Sequence, residues 1–228
     1  MIQYYPETWF ISDTHFYHKN ITRGVSKWPN ASGVRDFDDE LEMTIHIINQ
    51  INKYVGEDDT LYILGDFAFG GKDNIPLARL LIHCKKIHYI YGNHDHHIRK
   101  SYQHLFTTCR DYAEISIKYR LDTDDANTKM KKQKIILCHY ALRVWNQAHH
   151  GSWQLHGHSH GSLIPIDING YYANETADPL AKQIDVGVDS IFNLCGEYRP
   201  IAFSELYELF NSESYKDLRV DQHDENTN

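Results

Sequence analysis

Four short apolar runs in this 228-residue chain, and a mixed one at 153–156, each stop on residues that carry chemistry, and that placement restricts the fold more than any other feature. Trp9-Phe10-Ile11-Ser12 leads into Asp13-Thr14-His15. The run 60–64 leads into Gly65-Asp66, and 87–91 into Gly92-Asn93-His94-Asp95. Ile135-Ile136-Leu137-Cys138 stops at His139, and the run 153–156 stops at Gly157-His158-Ser159-His160. Apolar runs of this length bounded by turn residues read as buried strands. In open α/β sheets the residues just past the carboxyl ends of strands face one crevice. The pattern therefore predicts that five distant segments deliver carboxylates, imidazoles and a carboxamide to one place.

The intervening sequence fits that architecture. Between Asp36 and Val55, apolar residues recur at Phe37, Leu41, Ile45, Ile48 and Ile51, which predicts a helix with Asp36 as its N-cap. Residues 75–84 suit a short helix, 112–121 a fourth strand, 184–188 another strand and 203–210 a closing helix. Residues 14–35 read as an irregular excursion and 122–134 as an exposed polar loop. There is no internal repeat and no linker, so one domain over 1–210 is expected, followed by a polar, flexible tail over 211–228. Strands alternating with helices and then with long loops point to an α/β class built on mixed sheets.

Sixteen histidines are several times ordinary usage, and many sit beside Asp, Asn and Gly. The four cysteines are far apart and form no CxxC pair, which fits reduced thiols in a cytoplasmic protein. No apolar run is long enough to span a bilayer, and the start MIQYYPETWFISD lacks the basic region of a signal peptide. The net charge of −8 argues against a broad electrostatic footprint for duplex nucleic acid. Small or single-stranded phosphorylated ligands stay compatible with it, because bound cations reverse the charge within a cleft.

Taken singly, each motif is a polar strand cap, a turn or a core histidine. Taken together, at successive strand ends, they form the donor set of a metal site. Oxygen and nitrogen donors without thiolate suit Mn, Fe, Zn or Ni. They are too many for one ion, so two divalent ions sharing a bridging carboxylate are expected. The glycines before Asp66, Asn93 and His158 are expected to let the backbone turn sharply. Alternation in Asp13-x-His15 and His158-x-His160 predicts that each pair points to one side of an extended segment.

The order D-x-H, G-D, G-N-H-D, a lone His and G-H-x-H resembles the signature of the calcineurin-like metallophosphoesterases. It spans Asp13 to His160, and the wording SDTHFYHKNI, LGDFAFG and HHGSWQLHGHSHG looks like the small bacterial and bacteriophage branch of that superfamily. The resemblance implies an αββα sandwich of two packed mixed β-sheets flanked by helices. It also implies one metal held by Asp13, His15, Asp66 and His160, and a second held by Asp66 as bridge with Asn93, His139 and His158. Mn²⁺ leads among the metals it suggests. His94 would be the general acid in hydrolysis by a metal-bridged hydroxide, with Asp95 available to orient it. Many relatives continue the second motif as G-D-x-x-D-R, whereas Gly65-Asp66 here runs into Phe67-Ala68-Phe69-Gly70, so the extra Asp and Arg are missing.

The expected activity is that of a phosphoesterase, with a phosphodiester ahead of a phosphomonoester, since 14–35 and 140–150 could house a second organic arm. The expected partner is a small phosphorylated substrate, such as a nucleotide or a nucleic-acid end. His18, Asn20 and Arg23 closely follow the first motif, and Arg143, Trp145, His149 and His150 lie between two others. Arg143, His18, His150 and Asn20 are the candidate substrate contacts, Arg143 to grip a phosphate, with Trp145 to stack a base. Three alternatives remain: a nuclease on ends or single strands, a protein-binding scaffold of the same fold, and a histidine-rich metal store.

Overall fold

The apolar runs that carry the first three motifs become the parallel strands Thr8–Ile11 (β2), Thr60–Ile63 (β3) and Lys86–Ile90 (β4). The computed structural model describes residues 2–3, 6–22, 35–121, 123–124, 127–162 and 182–212. Ile11 pairs with Ile63, and Ile63 with Tyr89, so the three strands end level and their motifs emerge side by side. Thr108–Arg110 (β5) extends this sheet in parallel beyond β4, and Ile201–Ala202 (β10) closes the other edge antiparallel to β2.

A second sheet is ordered β1-β6-β7-β8-β9, from Ile2–Gln3, Tyr112–Leu121, Lys131–Cys138, Trp153–His156 and Lys182–Asp185. The pairs β1/β6 and β6/β7 are antiparallel, whereas β7/β8 and β8/β9 are parallel. The chain is thus an α/β protein with two mixed sheets flanked by helices.

Two cores hold it together. On one side Ile11, Leu61, Ile63 and Tyr89 pack under Glu40–Tyr54 (α1) and Asn74–Leu81 (α2). Between the sheets, Phe10, Leu64 and Ile90 meet Ile135, Leu137, Trp153 and Leu155. Phe203, Leu206 and Phe210 of the closing helix Phe203–Asn211 (α4) join them, with the Trp153 ring 5.3 Å from Phe203 and 4.8 Å from Phe210. Each such buried side chain contributes about 1.5–3 kcal/mol of hydrophobic stabilisation.

Several boundaries differ from expectation for physical reasons. α1 is capped by Asp39 rather than Asp36, because Asp39 Oδ1 accepts from the amides of Leu41 and Glu42, both at 2.8 Å. Its buried stripe runs through Met43, Ile47, Ile48 and Ile51, while Leu41 and Ile45 face outward. α2 stops at Leu81. β7 starts at Lys131 and takes in part of the expected loop, since Lys131 pairs with Tyr119 in the register of β6. The segment 184–188 is not one strand: β9 ends at Asp185, and Val188 opens the helix Val188–Cys195 (α3). β1, β5, β10 and α3 had no counterpart in the sequence pattern. All four cysteines are free thiols. Among the described residues no helix is long and apolar enough to cross a membrane. Arg23, most of the excursion and the tail beyond Ser212 lie outside the described residues.

The two sheets are pinned together where their motifs emerge. Ser12 donates its amide to Val186 O and accepts from the Val188 amide, while its hydroxyl donates to Leu64 O at 2.7 Å. His139 Nδ1 reaches the same Leu64 carbonyl at 2.6 Å.

Candidate metal centre

Two clusters of ligand atoms form at these joined strand ends. Asp13, His15 and His160 make one, Asp66, His139 and His158 the other, with one ligand atom from each residue within 4.8 Å of the others in its cluster. Asp66 Oδ2 stands between them, 3.8 Å from His15 Nε2 and 3.7 Å from His139 Nε2. Asn93 joins the second cluster with its Oδ1 3.1 Å from His139 Nε2. All seven residues expected as ligands are therefore brought together.

The backbone does this in a way the spacing did not suggest. Asp13, His15, Asp66, His158 and His160 all have positive φ, between 47° and 68°. The D-x-H and H-x-H segments are consequently not extended. Left-handed conformations cost a non-glycine residue about 1–3 kcal/mol each and persist where surrounding contacts enforce them. Of the three glycines, only Gly65 supplies a sharp turn, at φ 97°. Gly92 and Gly157 supply space instead: a Cβ at Gly92 would collide with Asp66, and one at Gly157 with Ser12 and Asp13.

Each central carboxylate spends one oxygen on a main-chain amide of another motif. Asp13 Oδ2 accepts from the His158 amide at 2.9 Å, and Asp66 Oδ1 from the His94 amide at 3.0 Å. The other oxygen of each faces its cluster, and Asp13 Oδ1 is buried with no hydrogen-bond partner among the described residues. Burial, partly offset by the imidazoles of His160 and His139, pushes the Asp13 carboxyl up to about 7. Burial holds the His15 imidazole well below its usual range, and it lowers His158 as well.

The imidazole tautomers point the same way. His139 Nδ1 faces the Leu64 carbonyl and His160 Nδ1 faces Asp189 Oδ2 at 2.8 Å, so in both rings Nδ1 carries the proton. Nε2 of each ring is left aimed into its cluster. His139 Nε2 then confronts the Asn93 carbonyl oxygen, and His160 Nε2 confronts His15 Nε2 at 3.1 Å. At the second cluster, acceptor facing acceptor within 4 Å of the Asp66 carboxylate is an arrangement that a cation relieves. The donor set fits divalent ions of the Mn, Fe, Zn or Ni group.

Sequence reasoning missed the layer behind these ligands. Arg35 is fully buried; its Nε and Nη2 each reach a carboxylate oxygen of Asp189 at 2.9 Å, and its remaining donors reach the carbonyls of Asp13 and Thr14. Burial alone would raise the Asp189 carboxyl, but the guanidinium beside it brings it down to about 2. Asp185 accepts from the amides of Gly161 and Gly187, shaping the loop that carries His160. No spacing rule links these acids to the metal motifs. The Tyr140 ring, 4.8 Å from that of His158, could have been suspected from its place next to His139.

The remaining candidates separate clearly. The exposed His94 ring lies 6.1 Å from the His15 ring and 4.7 Å from Phe69, beside the first cluster. Among the described residues no hydrogen bond joins Asp95 to that ring. Asp95 Oδ2 accepts from the amides of Asp66 at 2.9 Å and Gly92 at 2.6 Å, and Oδ1 from that of Phe67 at 3.3 Å, so this carboxylate ties two motif loops together. His18 does reach the centre, stacked 3.9 Å from Phe69 and 5.4 Å from His15, and burial lowers its imidazole to about 4. Asn20 and Arg143 are exposed, and no hydrogen bond or ion pair joins either to the clusters among the described residues. His150 packs on His149 at 4.1 Å, and no ring contact joins it to the ligand rings among the described residues. Trp145 is buried against Ile136 and Ala148 with its Nε1 donating to Ser152 O, so it is not available to stack a base.

No family model matches the chain. It is 24% identical over 220 residues to the Gene 66 protein of Mycobacterium phage D29, covering 89% of this chain and 95% of that one. It is 27% identical over 203 residues to an uncharacterized protein of Methanocaldococcus jannaschii, covering 88% and 89%. Among solved structures it matches a protein of unknown function from Aquifex aeolicus with a TM-score of 0.57 at 23% identity, over 89% of this chain and 98% of that one. That likeness supports the α/β fold of the chain.

Proposed function

We propose that this protein is a dinuclear metal-dependent phosphoesterase acting on phosphodiesters, with the αββα architecture of the calcineurin-like metallophosphoesterases that its motifs resemble. The observation that carries this reading is the position of Asp66 Oδ2, within 4 Å of an imidazole nitrogen of each cluster. Asp13, His15 and His160 would hold one ion, Asn93, His139 and His158 the other, with Asp66 shared. Manganese is the metal we favour, with iron, zinc and nickel as alternatives. Two such ions, when bound, acidify a water and neutralise the charge of a phosphoryl group.

The protein's own groups would do the rest. His94 stands beside the first cluster with its ring free of side-chain hydrogen bonds among the described residues, placed to hand a proton to the departing alkoxide oxygen. Phe69, packed against the rings of His15, His18 and His94, fixes that side of the site. A residue is present for every expected ligand and for the acid, which favours a catalyst over a scaffold or a metal store.

Turnover of bis-p-nitrophenyl phosphate with added Mn²⁺, alongside metal analysis, tests this reading. About two ions per chain are expected. Asp66→Asn is expected to lower metal content and abolish turnover together. A protein that binds two ions and cleaves no phosphate ester would overturn it.

A further inference from the structure

Next to His94 the surface opens into a recess of about 150 Å³. Phe69, Ile75 and Ile98 form apolar walls, and His94, His96 and His97 line a polar side. The recess shares Phe69 and His94 with the metal centre, so the two adjoin across these rings. Its acid, Asp95, is buried with both carboxylate oxygens bound to main-chain amides and presents no negative charge to an occupant. Gly71 lines it with no side chain, and a Cβ there would meet nothing within 4 Å.

Size decides what fits. An apolar cavity of about 150 Å³ holds one benzene-sized ring, and this recess, open to solvent and polar along His94, His96 and His97, offers about that much room against its apolar walls. A purine nucleoside would extend beyond these walls into solvent and gain less from them. We propose that this recess receives the leaving arm of the phosphodiester and selects an arm carrying a single ring. The assignment rests on the phosphoesterase reading above, and it adds a substrate class that the metal motifs do not specify. An acid at the mouth of such a recess is where the departing oxygen needs its proton.

The metal-free protein, labelled at isoleucine methyl groups, can be titrated with phenol and with 1-naphthol by NMR. Phenol is expected to shift the Ile75 and Ile98 methyl signals, with 1-naphthol roughly tenfold weaker. Gly71→Leu, which grows a side chain into open space, is expected to weaken phenol by about tenfold. With the manganese-loaded protein, methyl p-nitrophenyl phosphate is expected to exceed methyl 4-nitro-1-naphthyl phosphate by about tenfold in kcat/KM, a preference that Gly71→Leu removes. Equal binding of the two rings, or phenol binding indifferent to Gly71→Leu, overturns the ring-size assignment even if esters are cleaved. Phenol binding without cleavage of any ester overturns the leaving-arm role together with the phosphoesterase reading.

Discussion

The His94 amide, not its ring, is tied to the Asp66 carboxylate proposed as the bridge, at 3.0 Å from Asp66 Oδ1. Truncating the ring therefore leaves the proposed metal ligands and their main-chain contacts in place, which makes His94→Ala a probe of the proposed proton donation. It is expected to cost about 10²–10⁴-fold on alkyl esters, and far less on p-nitrophenyl esters, whose phenolate departs without a proton. Equal losses on both would remove the acid role. At this scale the sequence was informative, since every expected ligand meets the others. It was silent where a residue acts from behind. Arg35 and Asp189 touch a ligand's far nitrogen or its carbonyl and carry no spacing of their own, and Asp95 looks like part of a catalytic motif while serving main-chain amides.

Strands long enough to bury several side chains were legible, and those of two or three residues were not, because β1, β5 and β10 are too short to show any alternation. The ligand loops misled in another way. The left-handed conformations of Asp13 and His158 are imposed by contacts from distant segments, which local sequence does not display. At the opposite end of β2, Glu7 accepts from the Thr8 amide and from Ser204 of α4, and burial pushes its carboxyl up to about 7. The folded protein thus keeps a proton on Glu7 between its ordinary value near 4.5 and about 7, where the unfolded chain has lost it. Stability should fall as pH rises through that window and level off above it. Glu7→Gln is expected to leave Tm nearly unchanged below pH 4.5 and to raise it relative to the wild type above pH 7; a constant difference across the window would contradict this assignment.

Across the whole molecule, one buried ion pair links parts that are far apart in sequence. Arg35 closes the excursion after the first motif, Asp189 lies in α3, and His160 ends the last motif. Removing one partner of a fully buried pair strands the other, at a cost of about 3–5 kcal/mol. Asp189→Asn is expected to lose that much in urea denaturation near neutral pH. Because the Asp189 carboxyl is held down at about 2, its contribution is present above its ordinary value of 3.8 and fades as pH falls toward 2, so the difference from the wild type should shrink there.

Ser12, Leu64, Val186 and His139 also clasp one sheet to the other at the very place where the ligands gather. The halves cannot part there without scattering the donors, and the donors cannot disperse while the clasp stays shut. Amide hydrogens such as those of Ser12 and Asp13 should accordingly be among the last in the chain to exchange with solvent, released only when the entire fold lets go.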